Sequence, residues 1–329
     1  AIEPRDADGY RRFLEHVREL HRITGMLFIY GPPPTLRTFT KLTPRDGRTL
    51  APWRTLHDSI AAHVRSPELR QLLGRFATYV GADPYRAPST LGVIAHVELN
   101  QGVWYPRGGV HAIARSLASL AERLGVEIRT GTPVERIETS RGRATGVVVA
   151  GGARIAADAV VANVDVATVA DRLLAPGVVR GRRLRRLHST EPSLSGFIVL
   201  HGTRESHPEL AHHTILFGSD YRREFAELTG RGVPASDPTV YLALTCRTDP
   251  ADAPAGGENW FVLVNAPPLG PGVDWRAEGV ADRYRELVLD RVRAFGIEPG
   301  DPAVSRTFTP VDLAERTGAA RGALYGPSS

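Results

Sequence analysis

The chain has 329 residues, 42% of them hydrophobic and 23% charged, a balance that excludes wholesale disorder. No apolar run approaches the roughly 18 residues of a transmembrane helix, and a single cysteine, Cys246, excludes a disulfide framework. The net charge of +5 comes almost wholly from arginine. The dense basic run at residues 180–188 lacks interleaved aromatic residues, so we predict no nucleic-acid binding and interpret it as a solvated helix face or a membrane-facing patch.

The first hundred residues are predicted to be mostly helical. Apolar residues recur at helical spacing in residues 6–20, 55–64 and 67–79. Three successive prolines at 32–34 interrupt the helical pattern, because proline cannot continue a helix. We therefore expect a helical subdomain over residues 1–100. Its polar first residues show no signal-peptide pattern, which predicts a cytoplasmic protein.

The pattern changes after residue 100. Residues 102–106 suggest a strand or a turn, and residues 126–130 alternate as a strand does. Between them, residues 110–124 predict a helix that Gly125 ends. We expect its apolar stripe to face the core, and its members are Ile113, Leu117, Leu120 and Leu124. Strand, helix and strand in this order predict a βαβ unit and a parallel sheet.

Two further groups of strands follow. A three-stranded meander is predicted at residues 134–139, 144–149 and 153–161, which turn signals separate. After a short helix at 166–174, an antiparallel sheet is predicted with a helix packed on it. Its strands are placed at 194–201, 214–217, 239–245 and 260–265, and its helix at 278–295. The predicted fold class is α/β plus α+β.

Several chemical motifs do not occur in the sequence. Neither G-x-G-x-x-G nor G-x-x-x-x-G-K-[ST] is found. His212 and His213 are adjacent, and adjacent residues of a strand point to opposite faces, so we predict no metal site. Ser193 and Ser195 lack the G-x-S-x-G elbow of a serine nucleophile.

One long stretch is informative as a whole. It contains an aromatic-Pro-x-Gly-Gly turn at 104–109, Gly-Thr-Pro-Val at 131–134 and a meander that ends in the segment 158–165. These residues resemble the FAD-dependent oxidoreductases of the amine-oxidase-like superfamily, and more narrowly the phytoene desaturase group of carotenoid desaturases. Further similar segments lie at 76–88, 192–200, 212–225 and 310–326, so the resemblance covers about residues 58–326. Residues 77–88 with Ala95–Glu98 resemble the desaturases that act on hydroxylated or methoxylated carotenoids.

The resemblance implies a flavin that takes a hydride from an allylic carbon of a long polyene, with proton loss from the neighbouring carbon. It assigns residues 101–164 to part of an FAD-binding domain that contains the parallel sheet and the meander. Residues 165–300 become a substrate-binding domain with an antiparallel sheet, and residues 301–329 return toward the FAD-binding domain. The helices of residues 1–100 would form a lid or a surface peripheral to the membrane, where the carotenoid dissolves. Plain core packing explains their stripes equally well.

Candidate site residues follow from the same resemblance. The backbone of Val134 would meet the adenine of FAD, although strand propensity alone also explains a valine there. Gly108 and Gly109 would let the chain turn close to the cofactor, or form an ordinary turn. The neighbouring side chains would line the substrate or pack without a special role, and these are Trp104, Tyr105 and Arg107. The catalytic residue stays unknown: His96, Glu98 and His111 are candidates by residue type only.

The sequence also departs from the family pattern. Members begin with a glycine-rich unit that holds the FAD pyrophosphate and end with a second glycine-rich segment, and both are absent here. The chain is therefore interpreted as a fragment or a truncated relative. We predict that alone it binds FAD poorly and aggregates through an unpaired sheet edge. The alternatives are a carotenoid isomerase, oxygenase or saturase, or a non-catalytic remnant that binds carotenoid or a partner.

Overall fold

The computed structural model of the chain describes residues 3–32 and 35–328, which form one helical unit and two sheets. The helices are α1 Ala7–Thr24, α2 Leu36–Phe39, α3 Pro44–Leu50, α4 Leu56–Ala61, α5 Pro67–Gly74, α6 Gly92–His96, α7 His111–Arg123, α8 Val166–Thr168, α9 Arg182–Ser189, α10 Tyr221–Phe225, α11 Val280–Ala294 and α12 Pro310–Thr317. The strands are β1 Val134–Ser140, β2 Arg143–Val149, β3 Arg154–Ala156, β4 Ser195–Thr203, β5 His213–Leu216, β6 Val240–Ala243, β7 Glu258–Ala266 and β8 Pro302–Phe308. Short helical turns extend several helices, among them Gly25–Ile29, Arg75–Val80 and Val97–Gln101.

The helical unit has its own core. The stripe predicted on α1 faces this core: Phe13 and Val17 are buried in one cluster with Leu56 and Ile60 of α4, and the rest of the stripe is buried or half-buried against it. A methyl group on Gly9 would lie 2.1 Å from the carbonyl oxygen of His63, so this glycine allows α1 to approach the end of α4. The predicted helical stripes are thus confirmed. Of the three prolines that were expected to interrupt the helical pattern, Pro33 and Pro34 lie outside the described residues.

The larger sheet is antiparallel, with strand order β5-β6-β7-β4-β8. Along β7 buried and half-buried residues alternate, as expected when one face of a sheet meets a core. The buried face packs on α11 through Val288 and Val292, in a cluster that includes Trp260 and Val262. This part of the prediction is confirmed, and the edge strand β8 is an addition that the sequence analysis missed.

The smaller sheet is the predicted meander, with order β1-β2-β3. Its third strand is shorter than expected, since only Arg154–Ala156 pairs. Gly146 has φ +152°, and a Cβ there would lie 2.3 Å from the carbonyl oxygen of Ile155. Glycine is therefore required where β2 approaches β3.

The predicted βαβ unit is wrong for the described residues. Helix α7 forms, and Gly125 ends it with φ +83°, but residues 102–106 and 126–130 are not strands and every strand pair described is antiparallel. A period of two produces a strand only where a neighbour offers backbone hydrogen bonds, and residues 126–130 have no such neighbour in the part of the chain that the structure describes. The stripe on α7 consequently faces solvent: Ile113 is 51% exposed, Leu117 61%, Leu120 43% and Leu124 74%.

Glu224 on α10 is a buried carboxyl, 1% exposed. Its oxygens accept hydrogen bonds from the backbone N–H of Thr239 at 3.1 Å and from the Thr239 hydroxyl at 2.7 Å. Burial raises the pKa of Glu224 from 4.5 to about 7; the Thr239 hydrogen bonds oppose this rise, and Asp237 and Glu227 add to it. Between these two pH values the folded protein holds a proton that the unfolded chain releases, so its stability falls as pH rises.

We expect Glu224→Gln to remove that decline. At pH 8 the variant should be more stable than the wild type, by an amount of the order of 3 kcal/mol, and near pH 4 the two should be equal. Urea unfolding at several pH values checks this, with the exposed Glu191→Gln as a control that leaves the pH profile unchanged. A Glu224→Gln profile parallel to that of the wild type would contradict the assignment.

Candidate functional site

The second face of the larger sheet carries a row of apolar side chains, one from each strand. Register places Ile215 beside Tyr241, Tyr241 beside Leu263, Leu263 beside Ile198 and Ile198 beside Phe308. All five are half-buried. At about 4.8 Å per strand the row is about 19 Å long. We call this row and its neighbouring row the open sheet face.

The neighbouring row is apolar in the middle and polar at both ends. It runs from His213 through Ala243, Phe261 and Leu200 to Arg306. Leu200 is 38% exposed, so the open sheet face is accessible at this point.

The C-terminal part of the chain approaches one side of the open sheet face. A Cβ on Gly196 would lie 3.2 Å from Leu324 and 3.9 Å from Leu313. The face is therefore an apolar surface with an apolar border, which suits an elongated hydrocarbon better than a polar ligand.

A polar group lies beside the β5 and β6 end of this face. Arg75, in the turn after α5, forms an ion pair with Glu98 and reaches the Tyr79 hydroxyl at 3.3 Å. The hydroxyl of Tyr79 donates to the other oxygen of Glu98 at 2.5 Å. Arg75 and Glu98 are only 16% and 20% exposed in their side chains. The Nε of Arg75 is buried and has no hydrogen-bond partner among the described residues.

His213 and Tyr241 face this group from the sheet. The Tyr241 hydroxyl lies 2.8 Å from Nδ1 of His213, and the two rings stack. Burial lowers the pKa of His213, with His212 and Arg75 contributing in the same direction. Burial raises the pKa of Tyr241, and Tyr79 and Glu98 add to the rise. We call Arg75, Tyr79, Glu98, His213 and Tyr241 the polar cluster.

The three predicted substrate residues differ in burial and in contacts. Tyr105 is half-buried; its ring centroid lies 4.8 Å from that of His212, and its hydroxyl donates to Asp252 at 3.1 Å. Trp104 is 82% exposed, and Arg107 is exposed. The structure thus brings Tyr105 next to the start of β5, and leaves Trp104 and Arg107 on the surface.

The predicted cofactor residues form a turn and a strand start. Gly108 and Gly109 both have φ +79°, a left-handed conformation that glycine adopts without strain. A Cβ on Gly109 would lie 3.3 Å from the Tyr105 hydroxyl. Val134 begins β1, pairs with Val149 and is 40% exposed. Gly108 is exposed and Val134 is partly exposed, so both lie at the surface of the described chain. The sequence holds no G-x-G-x-x-G loop of the kind that binds nucleotide phosphates.

The candidate acid or base residues have structural partners. His96 is buried, its Nδ1 lies 2.8 Å from the Asn100 amide nitrogen, and burial lowers its pKa. Glu98 belongs to the polar cluster, and the exposed His111 lies 3.1 Å from Arg115. Within the described ranges no group of three His, Cys, Asp or Glu side chains is arranged to hold a metal ion.

Sequence reasoning missed most of the polar cluster. Arg75, Tyr79 and Tyr241 follow the spacing of ordinary amphipathic segments, and only register across β5 and β6 places Tyr241 beside His213. The adjacent histidines His212 and His213 are a sequence signal at this position, although their spacing does not suit a metal ion.

Comparison with known proteins shows which fold and which family this chain shares. The structure superposes on putrescine oxidase bound to putrescine with a TM-score of 0.58 at 15% identity, over 98% of this chain and 64% of that one. The fold is therefore shared with putrescine oxidase. The family model for flavin containing amine oxidoreductases matches residues 50–286. The chain belongs to this family, which confirms the predicted resemblance.

Two relatives are similar over most of the chain. A zeta-carotene-forming phytoene desaturase of Myxococcus xanthus is 34% identical over 278 residues, 84% of this chain and 53% of that protein. A 1-hydroxycarotenoid 3,4-desaturase of Flavobacterium sp. (strain P99-3) is 36% identical over 266 residues, 80% of this chain and 53% of that protein. The chain thus spans about half the length of these curated relatives.

Proposed function

We propose that this chain is part of an FAD-dependent oxidoreductase that desaturates a long polyene of the carotenoid class. The observation that carries the proposal is the open sheet face, a half-buried apolar row built by all five strands of the larger sheet. Similarity to two carotenoid desaturases supports it. FAD, when bound, supplies the acceptor for the hydride, and a proton leaves the neighbouring carbon. The chain's own residues bind the polyene, orient it and exclude water.

For the cofactor, we propose that Val134, Gly108 and Gly109 contribute backbone contacts. The left-handed glycine pair permits close approach, because no Cβ stands between the backbone and a ligand. Residues 101–164 would then be the part of the chain that meets FAD, and residues 301–329 would return toward it. The exposed stripe of α7 and the 94% exposed Val161 support an apolar contact there.

For the substrate, we propose that residues 165–300 form the binding domain and that Tyr105 lies at one end of the open sheet face. Its ring contact with His212 supports this role. Trp104 and Arg107 are exposed beside it and would line the approach to the site.

We also propose that residues 29–54 of the helical unit rest on a membrane surface. Four large apolar side chains are exposed there, Ile29, Tyr30, Phe39 and Trp53, at 48%, 73%, 46% and 71%. Five exposed basic residues accompany them, against one acidic residue, Asp46, which is buried. Exposed aromatic rings with basic neighbours suit the headgroup region of an anionic bilayer. In the described part of the chain, no helix has the length and apolar character needed to cross a membrane.

The experiment that tests the function uses the whole FAD-loaded protein of which this chain is proposed to be a part, without oxygen. We expect a single turnover with an acyclic carotenoid to bleach the oxidised flavin and to shift the polyene absorption to longer wavelength, one new double bond per flavin reduced. The amine putrescine, which is bound in the structure of putrescine oxidase, serves as the control and should leave the flavin oxidised. Flavin reduction by the amine, with the polyene unchanged, would overturn the proposal in favour of an amine oxidase.

A further inference from the structure

The polar cluster lies at the β5 and β6 end of the open sheet face, whose middle is apolar. Its two sheet residues belong to rows whose inner members are apolar: Tyr241 is followed by Leu263 and Ile198, and His213 by Ala243 and Phe261. A hydrocarbon laid along these rows would therefore end against polar atoms. Leaving such atoms unpaired beside a bound hydrocarbon costs free energy.

The helical side of the cluster is held against this end of the sheet by separate contacts. The amide nitrogen of Gln71 donates to the carbonyl oxygen of Gly218, just after β5, at 2.9 Å. A Cβ on Gly74 would lie 3.6 Å from the Tyr221 ring. These contacts fix the end of α5, and the turn that carries Arg75 starts at the next residue.

The cluster has hydrogen-bonding capacity that the described residues do not use. The Nε of Arg75 is buried without a partner. Nδ1 of His213 and the Tyr241 hydroxyl share one hydrogen bond, whose direction depends on which ring nitrogen carries the proton. No hydrogen bond to a described residue uses Nε2 of His213, which is exposed, and the Tyr241 hydroxyl keeps its second hydrogen-bonding position. In either tautomer the pair therefore keeps one free donor and one free acceptor.

The charges of the cluster indicate which ligand would use them. Arg75 and Glu98 neutralise each other, so neither a carboxylate nor an amine is favoured. A hydroxyl group both donates and accepts, and it is neutral.

We propose that the polar cluster binds a terminal oxygen of the polyene, through His213 and Tyr241, and so determines specificity for an oxygenated rather than a pure hydrocarbon end. This inference rests on the proposed function. It adds the substrate's end group and its position: the oxygen lies at the β5 and β6 edge, and the carbon chain extends along the open sheet face toward β8.

Binding of two probes tests the inference. The probes are lycopene and the same polyene with one terminal hydroxyl group, and their affinities are measured by quenching of tryptophan fluorescence. We expect the wild-type protein to bind the hydroxylated polyene about 3- to 10-fold more tightly, the contribution of one net hydrogen bond. Tyr241→Phe should bring the ratio to about 1 while lycopene affinity stays unchanged.

Two controls separate recognition from a structural role. Tyr10→Phe removes a half-buried hydroxyl on α1 and should keep the wild-type ratio. Glu98→Gln breaks the ion pair with Arg75 and should lower the ratio together with the melting temperature. If Tyr241→Phe and Glu98→Gln lower the melting temperature but keep the ratio, the cluster only ties the helical unit to the sheet and the inference is overturned. A wild-type ratio of 1 overturns it as well, with the proposed function intact. Failure of both polyenes to bind removes the proposed function and this inference together.

Discussion

Replacing Leu263 by arginine should weaken polyene binding by about 100-fold or more. Leu263 lies at the centre of the open sheet face, with Tyr241 on one side and Ile198 on the other. A guanidinium at this position either stays hydrated and covers the apolar surface, or loses its water beneath the ligand. Both cases weaken binding, because a hydrocarbon offers the guanidinium no hydrogen-bond acceptor. Because Leu263 is half-buried and lies on the face opposite the α11 cluster, the core should tolerate the change.

Two further variants make this result specific. Leu263→Ala keeps the surface apolar and should weaken binding only about 3- to 10-fold, in proportion to the lost contact area. Val178→Arg adds the same charge in the exposed loop between α8 and α9 and should leave the affinity unchanged. Fluorescence quenching by lycopene gives the affinities, and circular dichroism confirms that each variant is folded. Equal binding by Leu263→Arg and the wild type would show that the polyene lies elsewhere.

The larger sheet could be predicted from the sequence because each strand carries its own signal. β-branched and aromatic residues alternate between turn residues in β4, β6 and β7, and antiparallel neighbours are close in the chain. β8 was missed because residues 302–305 are exposed and carry no alternation. Helices α3 and α12 were missed although both begin Thr-Pro-x-Asp, with the threonine as cap and the aspartate returning a hydrogen bond to it.

The prediction of a parallel sheet was wrong for a different reason from the missed elements. Helix α7 depends on local hydrogen bonds and forms without a partner, whereas residues 126–130 need a neighbouring strand to become one. A periodic pattern indicates which face of a segment is suited to packing, but it does not show whether a packing partner is present. The site shows the same limit: residues 75, 98 and 241 come together through the packing of the helical unit on the sheet, which no local pattern encodes.

Glu258→Ala should lower the free energy of unfolding by about 3–5 kcal/mol, because it leaves a cation and three further donors without their acceptor. Glu258, at the start of β7, is 3% exposed. It accepts from the backbone N–H of His207 at 2.7 Å, from the His207 ring at 2.8 Å and from Trp260 Nε1 at 2.9 Å, and it pairs with Arg247 at 2.5 Å. The matched control is Glu191→Ala, which removes a bidentate but exposed pair with Arg86 and should cost at most about 1 kcal/mol.

The pH dependence gives a second, independent check. Burial alone would raise the pKa of Glu258, but the hydrogen bonds from His207 and Trp260 and the charge of Arg247 lower it below the ordinary 4.5. A carboxyl with a lowered pKa stabilises the folded state above the pKa of the unfolded chain, and this contribution is lost as pH falls through the folded value. The difference between wild type and Glu258→Ala in urea unfolding should therefore be full at pH 7 and shrink below about pH 4. A difference that does not change with pH would contradict the ionised form.

The same substitution should also affect the site, because Glu258 holds the turn that positions Tyr105. Arg247 lies in the turn after β6, and this turn leads to Asp252, which accepts the hydrogen bond of Tyr105. Loss of the Glu258 pair removes one contact of this turn, while Arg247 keeps its hydrogen bonds to the carbonyl oxygens of His207 and Leu210, so the contact between Tyr105 and His212 should loosen. We therefore expect Glu258→Ala to weaken polyene binding at temperatures where the protein is still folded.

Glu258→Gln keeps two acceptor positions on its carbonyl oxygen and should lie between the wild type and Glu258→Ala in both stability and affinity. If affinity is lost only as the protein unfolds, the turn does not position Tyr105 and the Glu258 network stabilises the fold alone.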